Sequence, residues 1–213
     1  MHIRYSQAGL PASRHAGFQR YNCTSTAPFC AHCQKVRPDV NQKVLLTGRP
    51  GCGKTTLVKR VVKNLSQRAA GFYTEEIRDR GVRVGFRLVT LDGDEGVLAH
   101  VDFETPEHLG KYRLDLFALE NVGVKAVRDA VRARKLVVID EIGPMEIRSA
   151  KFRDTVNEVL ESEVPLLATI FARSLPFTDG IKSRPDVTMI EVRRDNRETL
   201  VSELSEKFRT LNE

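Results

Sequence analysis

Between Gly48 and Thr56 the chain reads GRPGCGKTT, a run that sets three glycines around a turn and follows them with a lysine and two threonines. Glycine lets a backbone wrap close to a ligand, so N–H groups of such a turn can face phosphate oxygens, and a helix opening behind it adds its positive dipole end. Gly48, Gly51 and Gly53 supply that freedom, with Arg49, Pro50 and Cys52 between them. Lys54 is placed to reach the β and γ phosphates of a nucleotide, the Thr55 hydroxyl to bind Mg²⁺, and Thr56 to donate to the α phosphate. The spacing Gly-x-x-x-x-Gly-Lys-Thr is that of a P-loop. Cys52 puts a thiol inside the loop, either a reactive group or a small packing residue.

Holding phosphates does not decide whether the last one passes to water or to another molecule. The segment LVVIDEIGPME, Leu136 to Glu146, bears on that choice. An apolar strand ending in Asp140 puts a carboxylate at the edge of a sheet, where it can hold a Mg²⁺ shell, usually through water. Glu141 follows at once. An acid beside a metal-binding aspartate can polarise an attacking water, which hydrolysis needs and transfer to an acceptor does not. Thr169, near the end of a neighbouring strand, is either a γ-phosphate contact or an ordinary strand threonine.

These residues need elements to carry them. KVLLT, Lys43 to Thr47, is a short apolar run ending in glycine and reads as a buried strand feeding the loop. Leu57, Val58, Val61, Val62 and Leu65 then recur at helical spacing. The stretch from Gly71 to Val101 is rich in β-branched and aromatic residues and is broken by DRG and DGDEG, which predicts antiparallel hairpins. Later come the strand ending in Asp140, a helix with Phe152, Val156, Val159 and Leu160 on one face, and the strand PLLATI, Pro165 to Ile170. VTMIEV and a last helix bearing Leu200, Val201, Leu204 and Phe208 complete the series, with Asp195 and Glu198 spaced to cap that helix reciprocally. Buried strands alternating with helices predict an α/β fold, a mainly parallel sheet covered on both faces, with the hairpins appended.

A chain of 213 residues, 41% of them hydrophobic, suits one such domain, and no apolar run approaches the 18 or so residues that a membrane span needs. The N-terminus lacks the basic, apolar, small-residue order of a secretory signal, so the cytoplasm is the expected compartment. Net charge is +6, but residues 1–40 carry five basic side chains against the single acid Asp39, and the remainder is close to neutral. That segment shows neither strand nor helix periodicity and reads as a disordered extension ahead of a domain at 41–213. Its basic character leaves room for RNA or DNA as a partner. It also holds CTSTAPFCAHC, in which Cys30 and Cys33 form half of a zinc pattern that Cys23, His32 or His15 would extend; the second Cys-x-x-Cys is missing. Free thiols on a tail, or upstream sequence taken in by an early start, are the alternatives.

LLTGRPGCGKTTL, GFYTEEIRDRGVRVGF, KYRLDL and VVIDEIGPMEIRS, taken together, resemble the thermophilic-type nucleoside-triphosphatases, relatives of the cancer-related nucleoside-triphosphatase. The resemblance runs from about Lys43 to the C-terminus. It implies a P-loop NTPase sheet of the RecA/AAA-like, catalytic-glutamate class and Mg²⁺-dependent hydrolysis of ATP, GTP and other nucleoside triphosphates. It carries Gly48, Gly51, Gly53, Lys54, Thr55 and Thr56 over as nucleotide-binding positions, and Asp140 and Glu141 as metal and water-activating positions. The family more often has proline and valine where this chain has Arg49 and Cys52, and it generally lacks a counterpart of residues 1–40. A charge-neutralising arginine is sought among Arg113, Arg173 and Arg184 or on a neighbouring subunit, with Arg184 singled out because IKSRPDV is similar to the family's late basic loop.

The expected function is therefore hydrolysis of nucleoside triphosphates, ATP, GTP, CTP and UTP alike. A nucleotide or nucleoside kinase, which would need an acceptor pocket and an arginine-rich lid, and an RNA- or DNA-stimulated ATPase using the basic tail are the rivals.

Overall fold

The computed structural model describes residues 42–65 and 68–210. The expected tail boundary near residue 40, and Cys23, Cys30 and Cys33 with it, lie outside the described residues. Strand β1 (Lys43–Thr47) leads through the glycine turn into α1 (Lys54–Asn64). β2 (Ala69–Asp79), β3 (Val82–Thr90), β4 (Glu95–His100) and the short β5 (His108–Leu109) and β6 (Tyr112–Leu114) follow. Next come α2 (Leu116–Ala118), a π-helical turn (Leu119–Val124), α3 (Lys125–Arg132), β7 (Leu136–Ile142) and α4 (Ala150–Glu161). β8 (Leu166–Ile170), α5 (Pro176–Lys182), β9 (Val187–Glu191) and α6 (Arg197–Thr210) end the described chain.

Among the described residues the strands form one sheet in the order β5-β6-β4-β3-β2-β7-β8-β1-β9. From β2 through β9 every pairing is parallel, while β3, β4, β6 and β5 extend the β2 edge by antiparallel pairings. The alternation of side chains along a strand explains the layers. Leu45, Val137, Ile139 and Ala168 pack one way, onto Val127 of α3 and Phe152, Val156 and Val159 of α4. Val44, Leu46, Leu136, Val138 and Leu167 pack the other way, onto Leu57, Val58 and Val61 of α1 and Leu200, Val201 and Phe208 of α6. Strands apolar on both faces are what a doubly covered parallel sheet requires.

The hairpins form as their turn residues predict. β2 and β3 are joined by Arg80 and Gly81, with φ of 46° and 81°, the positive pair that a two-residue turn of the tight hairpin type demands. Two helical stretches carry no expectation from the sequence. One is the run from α2 to α3, begun by Asp115, whose carboxylate accepts from the Ala118 N–H at 3.0 Å; the five-residue step between buried Leu119 and Val124 is the π turn, and it breaks the 3.6-residue period. The other is α5, short and begun by proline. The reciprocal cap expected of Asp195 and Glu198 is not made. Glu198 instead accepts from Arg60 of α1 at 2.6 Å, and Asn196 ties the entry to α6 through the Arg193 N–H and the Glu191 carbonyl.

Lys43 is a buried charge that fastens the sheet to α4. Its ammonium donates to the carbonyls of Val159 and Ser162, each at 2.8 Å, and to that of Val164, taking up the carbonyl end of the helix. Lys43→Met fills the space and removes the donors. It is expected to cost about 2–3 kcal/mol, the penalty of leaving buried carbonyls unsatisfied, and to lower the urea midpoint accordingly; an unchanged midpoint would refute the capping role.

Candidate active site

Gly48 to Gly53 form the connection from β1 to α1, and Lys54, Thr55 and Thr56 open the helix, at the carboxyl edge of the parallel strands. β1 is pinned between β8 and β9, so the loop leaves the sheet at a fixed height. Gly48, Gly51 and Gly53 have φ of 148°, 75° and 99°, conformations that L side chains resist. Gly53 is also the N-cap of α1. No side chain bonds the first turn of the helix and no acidic residue stands in it, so its N–H groups and dipole are left facing the loop. The Lys54 ammonium bends back across the turn to the Gly48 carbonyl at 3.2 Å. Cys52 is half-buried and packs against the core under α1, its sulfur turned toward Gly48. The thiol is thus a packing residue of the loop.

β7 ends two strands away from β1, with β8 between them. Asp140 is 2% exposed. Its Oδ1 accepts from Thr169 on β8, the Thr55 hydroxyl approaches the same carboxylate, and Oδ2 is buried without a hydrogen-bond partner. Burial raises the pKa of Asp140, against the lowering effect of Thr169, Thr55, Lys54 and Lys59. Glu141, half-buried, is also raised by burial, with Lys54 opposing and the Asp140 charge adding to the rise. Thr169, fully buried, serves to fix the Asp140 rotamer.

A third carboxylate escaped the reading of the sequence. Glu146 opens a single 3₁₀ turn after the β7 strand and is 5% exposed. Burial raises its pKa to about 8, aided by the charges of Glu141 and Asp140, while bonds from its own N–H and that of Gly143 pull it down. Gly143 separates the two side chains: a Cβ there would lie 3.1 Å from Glu146 Oε2 and 3.4 Å from Glu141 Cγ. The signal was only an acid after a Gly-Pro turn, without periodicity to mark it as buried.

Arg184 is a correction. It precedes β9 at the amino edge of the sheet, where Lys43 pairs with Val187, and its guanidinium is held by Asp186 at 2.9 Å and Glu161 at 2.6 Å. Parallel strands put that end of β9 on the side opposite the glycine loop, so Arg184 does not belong to the site. Arg113 lies on β6 at the far end of the sheet, bonded to the Thr105 carbonyl. Arg173 alone of the three follows a parallel strand, β8, at its carboxyl end, and it is exposed.

A family model described as NTPase matches residues 43–205. The chain is 49% identical over 162 residues to the nucleoside-triphosphatase THEP1 of Thermotoga petrophila, covering 76% of this chain and 90% of that one. It is 38% identical over 170 residues to the nucleoside-triphosphatase THEP1 of Methanocaldococcus jannaschii, covering 78% and 96% of the two chains. Among solved structures, THEP1 from the hyperthermophile Aquifex aeolicus superposes with a TM-score of 0.73 at 35% identity, over 78% of this chain and 98% of that one. A human cancer-related nucleoside triphosphatase superposes with a TM-score of 0.66 at 35% identity, over 77% and 95%.

The buried Glu146 makes stability depend on pH. Its carboxyl binds a proton more tightly folded, at about 8, than at its ordinary value of 4.5, so the contribution to stability is complete below about 4.5 and is lost as pH rises through 8. Glu146→Gln imitates the protonated form. It is expected to flatten the decline in stability between pH 5 and pH 9 by on the order of 4 kcal/mol, measured by thermal unfolding across pH without added metal. A variant that declines as steeply as the parent would show that Glu146 is ionised in the folded protein.

Proposed function

The chain belongs to the NTPase family, and on that premise we propose that it hydrolyses nucleoside triphosphates to the diphosphate and phosphate at the carboxyl edge of its parallel strands. One observation carries the reading. An uncapped helix end, wrapped by glycines with positive φ, stands beside a buried aspartate with a free oxygen, and the next residue is a second acid. The first part is an anion cradle and the second supplies the acid-base chemistry that hydrolysis requires.

Mg²⁺ fits the oxygens present. The Thr55 hydroxyl and Asp140 Oδ2 are hard donors on one side of the loop, and an ion that keeps most of its water needs few protein ligands. When bound, such an ion would neutralise phosphate charge. Around it the chain does the rest. Backbone N–H groups of the loop and α1 hold the phosphates, and Lys54 swings from the Gly48 carbonyl to the β and γ oxygens. Glu141 orients the attacking water and takes its proton. Burial raises the pKa of Glu141 and so strengthens it as a base, and the Lys54 charge opposes that rise. Arg173, at the end of β8, takes over the charge-neutralising role first sought at Arg184. The cytoplasm, where nucleotides are abundant and a thiol such as Cys52 stays reduced, is the proposed setting.

Backbone groups that grip phosphates ignore the base, so ATP, GTP, CTP and UTP are expected to turn over within about an order of magnitude of one another. The test is phosphate release from that panel, with and without acceptor nucleosides, RNA and DNA. Glu141→Gln should keep nucleotide binding and lose roughly 10²-fold or more in rate. Normal hydrolysis by that variant would sink the role of Glu141, and diphosphate formed without free phosphate, its phosphoryl group carried by an acceptor nucleoside, would favour a kinase.

A further inference from the structure

If the triphosphate lies in the cradle as proposed, the sheet fixes which way it points. Asp140 and Glu141 end β7, on one side of β1 across β8, so the phosphate that leaves faces β7. The nucleoside end must then run the opposite way, toward β9 and the connection from β9 to α6. That connection presses on the loop: the Val192 N–H donates to the Thr47 carbonyl at 2.8 Å, and the Val192 carbonyl oxygen occupies the position a Gly48 side chain would need, 2.6 Å from the Cβ site. Arg197, the first residue of α6, lies along Gly53. A Cβ on Gly53 would sit 2.6 Å from its Nη1, 3.0 Å from Cδ and 3.5 Å from Cζ.

The guanidinium has only a long ion pair: Glu198 stands 3.7 Å from its Nε and is itself bonded to Arg60 at 2.6 Å. Nε is buried with no hydrogen-bond partner, yet 34% of the side chain remains exposed. Contrast Arg193 in the same connection, held by Glu191 at 2.6 Å. A planar cation fixed along one edge, with part of its surface open beside the loop, is a stacking platform. Every nucleobase has a π face, so a contact of that kind adds affinity without selecting a base. Base-edge readout would require hydrogen-bonding groups that discriminate.

We propose that Arg197 is the nucleoside subsite of this enzyme: its guanidinium stacks on the face of the base, whichever base that is, and so gives nucleotide affinity that the phosphate cradle alone lacks. The proposal rests on the hydrolase reading above. A side chain at Gly53, already strained by a φ of 99°, would push the Arg197 guanidinium aside.

The test compares the parent with Arg197→Gln, which keeps an aliphatic stem to pack on Gly53, and with Arg197→Ala. KM and kcat are measured for ATP, GTP, CTP and UTP, and inorganic tripolyphosphate, which has phosphates and no nucleoside, is titrated as a competitive inhibitor of ATP turnover. Both variants are expected to raise KM for all four nucleotides by roughly 5- to 50-fold, with kcat changing less than KM and the inhibition constant of tripolyphosphate unmoved. Equal weakening of tripolyphosphate would place Arg197 on the phosphates or show that it only props the loop, and would overturn the proposal. So would an unchanged KM, or a rise confined to one base. A parent protein that releases phosphate from none of the four nucleotides would instead remove the hydrolase reading itself.

Discussion

The first turn of α1 presents backbone N–H groups that no side chain bonds, in a helix whose N-cap is glycine and whose opening residue is a lysine. An ordinary helix start spends a serine, threonine or aspartate on those groups and gains about 1 kcal/mol. Here that gain is forgone, and the backbone is bent through three glycines with positive φ. Such a turn survives because its surroundings hold it. β1 is locked between β8 and β9, Leu57 and Val58 anchor α1 in the core, and Val192 and Arg197 press on the loop from outside. The same features that make the turn costly make it an anion site.

The acids opposite the loop answer to the same electrostatics. Asp140, Glu141 and Glu146 lie within a few residues of one another, and burial favours the protonated form of each. Lys54 offsets this for the first two, so the cradle lysine and the acids are one system rather than two motifs. Removing the lysine would loosen phosphate and weaken the acids' ionisation together. Thr169 adds direction, holding Asp140 Oδ1 so that Oδ2 is the oxygen turned free.

Much of this was readable before any coordinates, and the reasons differ from residue to residue. The strands of the central sheet showed because they are apolar on both faces, and the β2–β3 turn showed because Arg80-Gly81 needs a glycine for its second positive φ. The loop and the Asp140-Glu141 pair were legible because their chemistry depends on local spacing. Arg184 misled because a basic loop near the C-terminus says nothing about which edge of the sheet it occupies; the parallel direction of β9 decided that. Glu146 was hidden since its burial comes from a 3₁₀ turn folding under Gly143, a tertiary effect with no period. The run from α2 to α3 was hidden by its π turn.

β2 is where the parallel and antiparallel parts of the sheet meet, and that junction reaches the site. Its first half pairs with β7 up to the register of Tyr73 with Asp140; beyond that point β7 no longer pairs with β2, which continues with β3 alone. The hairpin therefore rises past the carboxyl edge on the side of the acids. Glu75, just past the junction, accepts from Lys59 of α1 and from Arg87 of β3 at 2.6 Å, and the Lys59 ammonium lies 3.8 Å over the Tyr73 ring. These partly exposed ion pairs are each worth little in stability. Their consequence is positional: they tie the hairpin to the helix whose first turn forms the cradle. Lys59 also opposes the rise that burial imposes on the Asp140 pKa, so the hairpin's hold on Lys59 bears on the acid at the centre of the site. The hairpin is thus connected to the chemistry twice, through the backbone ladder to β7 and through a lysine shared with α1.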